Sequence, residues 1–398
     1  MSFKKYGLDL LSVVALGIGS IVGAGIFALL GQVIVYAGEW TYLSFAIGGI
    51  IAMLCGYSYA KLAGAYPGSG GLTDYFHIAY PKKWMSGTLT IIYWLASAVS
   101  ICMMAKSFGI YINDLLPKDI QGALFINSFA VVLIVALGFL NMLSSGDVGK
   151  TETVLVAVKL GILALLIAAA FYGFISHGAS YPVHHLPVSF KQFMTSVGIT
   201  FFAYAGFGVI TNAAADVKNP KLTIARAIYW TLTIVILLYI SLAFVVLANM
   251  PMAQLLKNAN TAVALVAEQI LGKAGYVLIY GAAIIAFMTG ISATFFSIFR
   301  ISQALAQDGV LPRFYEHKFL GKGSWGNLLT IGVTAWATAA FDFSAIVNFS
   351  SAAFLVSYLA VFGANWLLRD KTKAYPPLVI GGFLMMLFVL VGFLFSLS

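Results

Sequence analysis

The chain has 398 residues, 61% of them hydrophobic and 9% charged, where a soluble domain carries about a quarter charged residues. That composition excludes a cytosolic enzyme and a disordered chain, and the 2 cysteines, Cys55 and Cys102, sit inside apolar runs and build no disulfide framework. The net charge of +9 marks no nucleic-acid surface, because the basic residues are scattered singly between long apolar stretches, as in a polytopic membrane protein.

A helix crosses a hydrocarbon core of about 30 Å in about 20 apolar residues. Eleven stretches meet that ruler: 8–36, 40–64, 84–113, 122–143, 151–176, 190–216, 223–249, 274–306, 326–341, 344–368 and 376–397. The segment 251–273 is too short and polar to span and is predicted as a surface helix in a loop, with 261–271 mildly amphipathic. The first apolar run is too long for a cleavable signal peptide. With Lys4 and Lys5 placed in the cytoplasm, 16 of the 22 basic residues fall on the inner side. Only Lys118, Lys191, Lys257 and Lys273 fall outside, while Lys106 and Lys159 lie within spans. That asymmetry predicts a cytoplasmic N-terminus and, with eleven spans, a C-terminus outside.

The first span carries four glycines in nine residues, Gly17, Gly19, Gly23 and Gly25, each weakening a helix by up to about 1 kcal/mol relative to alanine. The sixth carries Phe201-Phe202-Ala203-Tyr204-Ala205-Gly206-Phe207-Gly208 at its centre. Five spans separate the two, so they run in opposite directions, which points to an inverted-repeat transporter with helices 1 and 6 discontinuous at the midplane. A broken helix offers N–H groups to a carboxylate at one half and carbonyls to an ammonium at the other, which suits a zwitterion. The competing reading is packing, since Gly19 and Gly23 form a small-xxx-small face; the matched interruption in the sixth span weighs against it.

Four motifs resemble the amino acid–polyamine–organocation superfamily, specifically its amino-acid permeases. They are Gly19-Ser20-Ile21-Val22-Gly23-Ala24-Gly25-Ile26-Phe27, the run from Tyr59 to Gly71, Phe201 to Phe207 followed by Asp216-Val217-Lys218-Asn219-Pro220, and the run from Arg300 to Pro312. The resemblance implies an all-α polytopic membrane protein of LeuT type, a 5+5 inverted repeat with about eleven transmembrane helices. Residues 1–176 would form the first repeat, 190–368 the second, and 376–397 an additional helix. It also implies a substrate site lined by Ile21, Gly23, Ala24, Gly25 and Ile26 of helix 1 and Phe202, Ala203, Tyr204, Ala205 and Gly206 of helix 6. The amides of Ala24 and Gly25 would take the carboxylate, the carbonyls of Ile21, Phe202 and Ala205 the ammonium, and Phe202 would gate the site. Gly208 and Ala215 stand where many relatives carry polar or acidic groups, so selectivity tied to those groups does not carry over.

Lys159 lies about 12 Å along the fifth span, if that span begins near Thr151. A charged lysine near the midplane costs at least about 2.5–3.5 kcal/mol. One that gains and loses a proton there does the work of a coupling cation, and the resemblance places this lysine against the broken part of helix 1. The alternative is a permanently charged strut. Lys106, nearer the outer end of its span, is expected to snorkel to the interface.

Other signals are weaker. The five histidines, His77, His177, His184, His185 and His317, are read as loop residues, and no metal, cofactor or catalytic set is expected. Of 13 acidic residues none lies centrally in a span, with Asp9, Glu152, Asp216 and Asp342 all near ends. Neutral amino acids are therefore favoured as substrates over cationic ones. The sequence reading is a secondary transporter seated in the lipid bilayer of the plasma (inner) membrane, which carries an amino acid by alternating access in symport with a proton through Lys159. The alternatives are a sodium-independent amino-acid or amine exchanger and, from another class, a channel, for which no charged ring or carbonyl filter is visible.

Overall fold

A computed structural model describes residues 8–68, 70–143, 148–177, 187–214, 217–320 and 323–397. The side chains of residues 23, 24, 148–152, 177 and 320 lie outside that description. The first half holds α1 (Leu10–Ala37), α2 (Thr41–Ala65), a short surface helix α3 (Leu72–Ala79), α4 (Lys83–Asp114), α5 (Ala123–Leu143) and α6 (Val148–His177). The sixth span is divided into α7 (Phe190–Tyr204) and α8 (Val209–Asn212). There follow α9 (Pro220–Asn249), α10 (Met252–Lys257), α11 (Ala262–Gln307), a hairpin of β1 (Lys318–Leu320) and β2 (Gly323–Ser324), α12 (Trp325–Ala340), α13 (Phe343–Leu367), α14 (Arg369–Thr372) and α15 (Pro376–Leu397).

Among the described residues, nine stretches are long and apolar enough to cross a membrane. The first of them, Leu10–Ala65, contains both α1 and α2. α12 has only 16 residues, about 24 Å of helix, and falls below that length. Every one of the eleven expected spans thus has its helix. The molecule is all-α and polytopic, as composition and spacing predict.

Local chemistry sets the helix starts. Asp9 accepts the Ser12 amide at 2.9 Å, and its bonds to Ser12 hold the carboxyl below its usual value. Ser189 and Gln192 form a reciprocal capping box at α7. Asp342 accepts the Ala345 amide at 2.6 Å to open α13. Pro220 stands in the first turn of α9, where a missing N–H costs nothing.

Burial separates a centre from a periphery. The most apolar window of the α1–α2 stretch is 94% buried and that of the sixth span 89%, against 28% for α5. So the two glycine-marked spans lie innermost, where backbone and side-chain polar groups must find protein partners. α1 packs against α7, α9, α11 and α6; α2 packs against α9 and α7; α4 packs against α13, α11 and α5. Leu8 pairs with Val217 in a parallel bridge, tying the entry of α1 to the exit of the sixth span.

Three expectations change. The discontinuity expected in helix 1 is absent: α1 is helical from Leu10 to Ala37. Its glycines serve close packing instead. A Cβ on Gly17 would meet the Ile210 side chain at 2.5 Å, and one on Gly25 would overlap the Tyr239 hydroxyl and the Ala203 carbonyl. The segment 251–273 is not a lone surface helix. Residues 262–271 continue into α11 across a kink at Gly272, φ 64°, and Ala259 of the preceding turn covers Gly31 of α1. His77 belongs to α3 and His177 is the last residue of α6, neither in a loop, and the Nε2 of His77 lies 3.4 Å from an Asp308 oxygen. His184 and His185 lie outside the described residues.

Candidate functional site

The sixth span breaks where its backbone requires glycine. Ala205 leaves the helix at ψ 150°, and Gly206 turns the chain at φ 119°, a conformation that side chains other than hydrogen resist. Tight turns then carry the chain onward, with the amides of Val209, Ile210 and Thr211 bonded to the carbonyls of Gly206, Phe207 and Gly208 at 3.0–3.1 Å. The break takes the peptide groups around Ala205 to Gly208 out of the α-helical ladder. No Cβ fits comfortably at Gly206, because it would lie 2.9 Å from Ser20 Oγ of α1.

A partly open cavity lies against this break, with about 30 Å³ of room for the centres of water-sized molecules. Phe202, Ala205, Gly206 and Val209 line it from the sixth span, and Ser20 from α1. Tyr93, Ser97, Ser100 and Met104 line it from α4, Thr294 and Ser297 from α11, and Phe354 from α13. Phe202 stacks on Phe354 with ring centroids 5.5 Å apart, forming one apolar wall. No lining residue is charged.

Of the residues expected at the site, Phe202, Ala205 and Gly206 line this cavity. Ile21, Gly25, Ile26, Ala203 and Tyr204 are packed beside it instead. The Tyr239 hydroxyl donates to the Ile21 carbonyl at 3.0 Å and lies 3.4 Å from the Ala203 carbonyl, bridging α1 and α7. Tyr204 donates to the Phe45 carbonyl at 3.0 Å, and Ile26 is fully buried. For Gly23 and Ala24 the side chains lie outside the description, as do Ala215 and Asp216 entirely. The sequence reading missed the contributions of α4, α11 and α13. Their one signal is helical spacing, with Ser97, Ser100 and Met104 on one face and Thr294 and Ser297 on another.

Lys159 is fully buried on α6. Its Nζ lies 3.3 Å from the Gly19 carbonyl of α1 and 3.3 Å from Thr289 Oγ1 of α11. The lysine therefore reaches the glycine-rich part of α1, as expected. Lys106 does not end in free solvent. Its ammonium donates to the Thr338 carbonyl at 3.0 Å and to the Phe341 carbonyl, capping α12.

The chain also matches a family model described as amino acid permease across residues 8–398. It belongs to the amino acid permease family. It is 39% identical to the inner membrane transport protein YbaT of Escherichia coli over 98% of this chain and 90% of that protein. It is 27% identical to the methylthioribose transporter of Bacillus subtilis, covering 87% of this chain and 78% of that one. It is 26% identical to the vacuolar cationic amino acid transporter 4 of Arabidopsis thaliana, over 93% of this chain and 64% of the relative. This permease is thus a multi-pass membrane transporter by fold and family, with its cavity at the break of the sixth span.

Proposed function

We propose that this permease carries neutral amino acids across the plasma (inner) membrane by alternating access, coupled to protons through Lys159. The observation that carries the reading is an uncharged cavity at a helix break, with a fully buried lysine beside it that bonds α1. A cationic side chain would enter that cavity with no counter-charge on its walls, and burying an unpaired charge costs several kcal/mol, on the order of 3–5. The zwitterion is held between Ile21–Ile26 and Phe202–Gly206, with the carboxylate on the amides of Ala24 and Gly25. In this arrangement α1 is intact and Ala203 covers Gly25, so that contact needs α1 to unwind locally as substrate arrives.

The packing pattern supports repeats over 1–176 and 190–368, with α15 outside them. If the first five spans map onto the second five, the α1–α9 contact exchanges with α2–α7, and α6–α11 exchanges with α4–α13; both members of each pair are present. The basic-residue asymmetry supports a cytoplasmic N-terminus and an outer C-terminus.

The second reading is sodium-independent exchange, in which Lys159 is a strut. Its two 3.3 Å partners suit that role as well. Uptake of a labelled neutral amino-acid mixture into proteoliposomes in sodium-free buffer separates the two. Proton symport predicts concentrative uptake only under an inward proton gradient, and Lys159→Ala abolishes the response to that gradient. Uptake that ignores the gradient and needs amino acid inside assigns an exchanger. Full pH dependence in Lys159→Ala removes the lysine from coupling.

A further inference from the structure

Three of the hydroxyl groups on the cavity wall have their protons already committed. Ser97 Oγ donates to the Tyr93 carbonyl at 2.9 Å, Ser100 Oγ to the Ser97 carbonyl at 2.7 Å, and Thr294 Oγ1 to the Gly290 carbonyl at 2.8 Å. A hydroxyl has one proton and two lone pairs, so each of these oxygens is left with acceptor capacity at the cavity. Ser297 Oγ is engaged as an acceptor by Asn212 Nδ2 at 2.7 Å, and the Asn212 carbonyl is held by Arg300 at 3.2 Å. Met104, Phe202 and Phe354 add apolar, bulky surface to the same cavity. The lining therefore offers uncharged acceptors beside apolar bulk that limits size.

We propose that the Ser97, Ser100 and Thr294 hydroxyls form a side-chain subsite that selects small neutral amino acids whose side chain donates a hydrogen bond, of the size of serine or threonine, over aliphatic ones of the same shape. The inference rests on the amino-acid transport reading above and names its substrate class. Threonine and valine have nearly the same shape and differ in one hydroxyl. Threonine donates to the subsite, whereas valine covers the same oxygens with a methyl group and leaves them without the water they bound. A site built to bond a hydroxyl discriminates strongly against an analogue lacking it. Neither a carboxylate nor a cationic side chain would find a counter-charge on the lining.

The test is initial-rate uptake of labelled threonine and, separately, labelled valine into proteoliposomes holding the full-length wild-type permease. The subsite predicts kcat/KM for threonine above that for valine by about tenfold or more. In Ser100→Ala that ratio falls toward one because threonine loses a hydrogen-bond acceptor that valine never used. Thr294→Val, which keeps shape, lowers the ratio in the same way. A variant that merely misfolds would lose both substrates together, and the wild-type ratio decides the matter without any variant. Equal uptake of the two amino acids, or preference for valine, overturns the subsite and leaves amino-acid transport standing. Failure to take up any labelled neutral amino acid overturns both.

Discussion

The first and sixth spans carry similar marks in the sequence and have opposite fates in the structure. α1 has four glycines in nine residues and stays helical throughout. The sixth span has fewer glycines and breaks cleanly after Tyr204. The difference lies in what surrounds each backbone. Four side chains from other helices donate to the α1 carbonyl column: Thr231 to Val14, Lys159 to Gly19, Tyr239 to Ile21 and Tyr111 to Phe27. These bonds use the second lone pair that a helical carbonyl keeps, and the missing Cβ atoms let neighbours close in. In the sixth span Gly206 adopts φ 119°, which the α-helix does not contain, and the cavity opens beside it. Glycine density measures permission to break; positive φ marks the break itself.

The comparison can be broken from either side. The largest effect belongs to Gly25→Val, whose side chain would overlap the Ala203 carbonyl as well as Tyr239. Because a backbone atom must move, the loss should reach about 3 kcal/mol or more, seen as a collapse in the yield of monodisperse protein. Normal yield and thermal stability would show that α1 and α7 are not packed on that glycine. Gly206→Ala comes next: the strained backbone costs about 1–3 kcal/mol, so thermal stability and substrate affinity should both drop. Full affinity in that variant would mean the turn can be made another way. Tyr239→Phe is the mildest, removing one hydrogen bond worth about 1 kcal/mol. It should loosen α1 against α7 and lower the melting temperature slightly, without altering the Lys159-dependent pH response.

Most of the architecture was legible because a bilayer imposes one strong rule, a run of apolar residues long enough to span. The eleven runs found that way match helices to within a few residues, apart from the lengthened start of α11. Lys159 was legible for the same reason, since a lone charge in an apolar run stands out and requires a partner. The cavity wall was not. Ser97, Ser100, Thr294 and Ser297 look like any serine or threonine in a buried helix, and such side chains usually bond their own backbone, as Ser97, Ser100 and Thr294 do here. Which hydroxyls also face a cavity depends on how α4 and α11 are rotated against α7, and that is a property of packing. The unbroken α1 escaped prediction because its support comes from α4, α6 and α9, far away in sequence.

The central claim is that substrate occupies the cavity at the sixth-span break. Its most direct test is reactivity of Ala205→Cys toward a membrane-permeant maleimide, with wild-type protein as the control, since Cys55 and Cys102 are both fully buried. Labelling of Ala205→Cys should be slowed by a transported neutral amino acid at saturating concentration and unaffected by one that is not transported. Undiminished labelling while the same variant takes up that amino acid would place the substrate elsewhere in the protein.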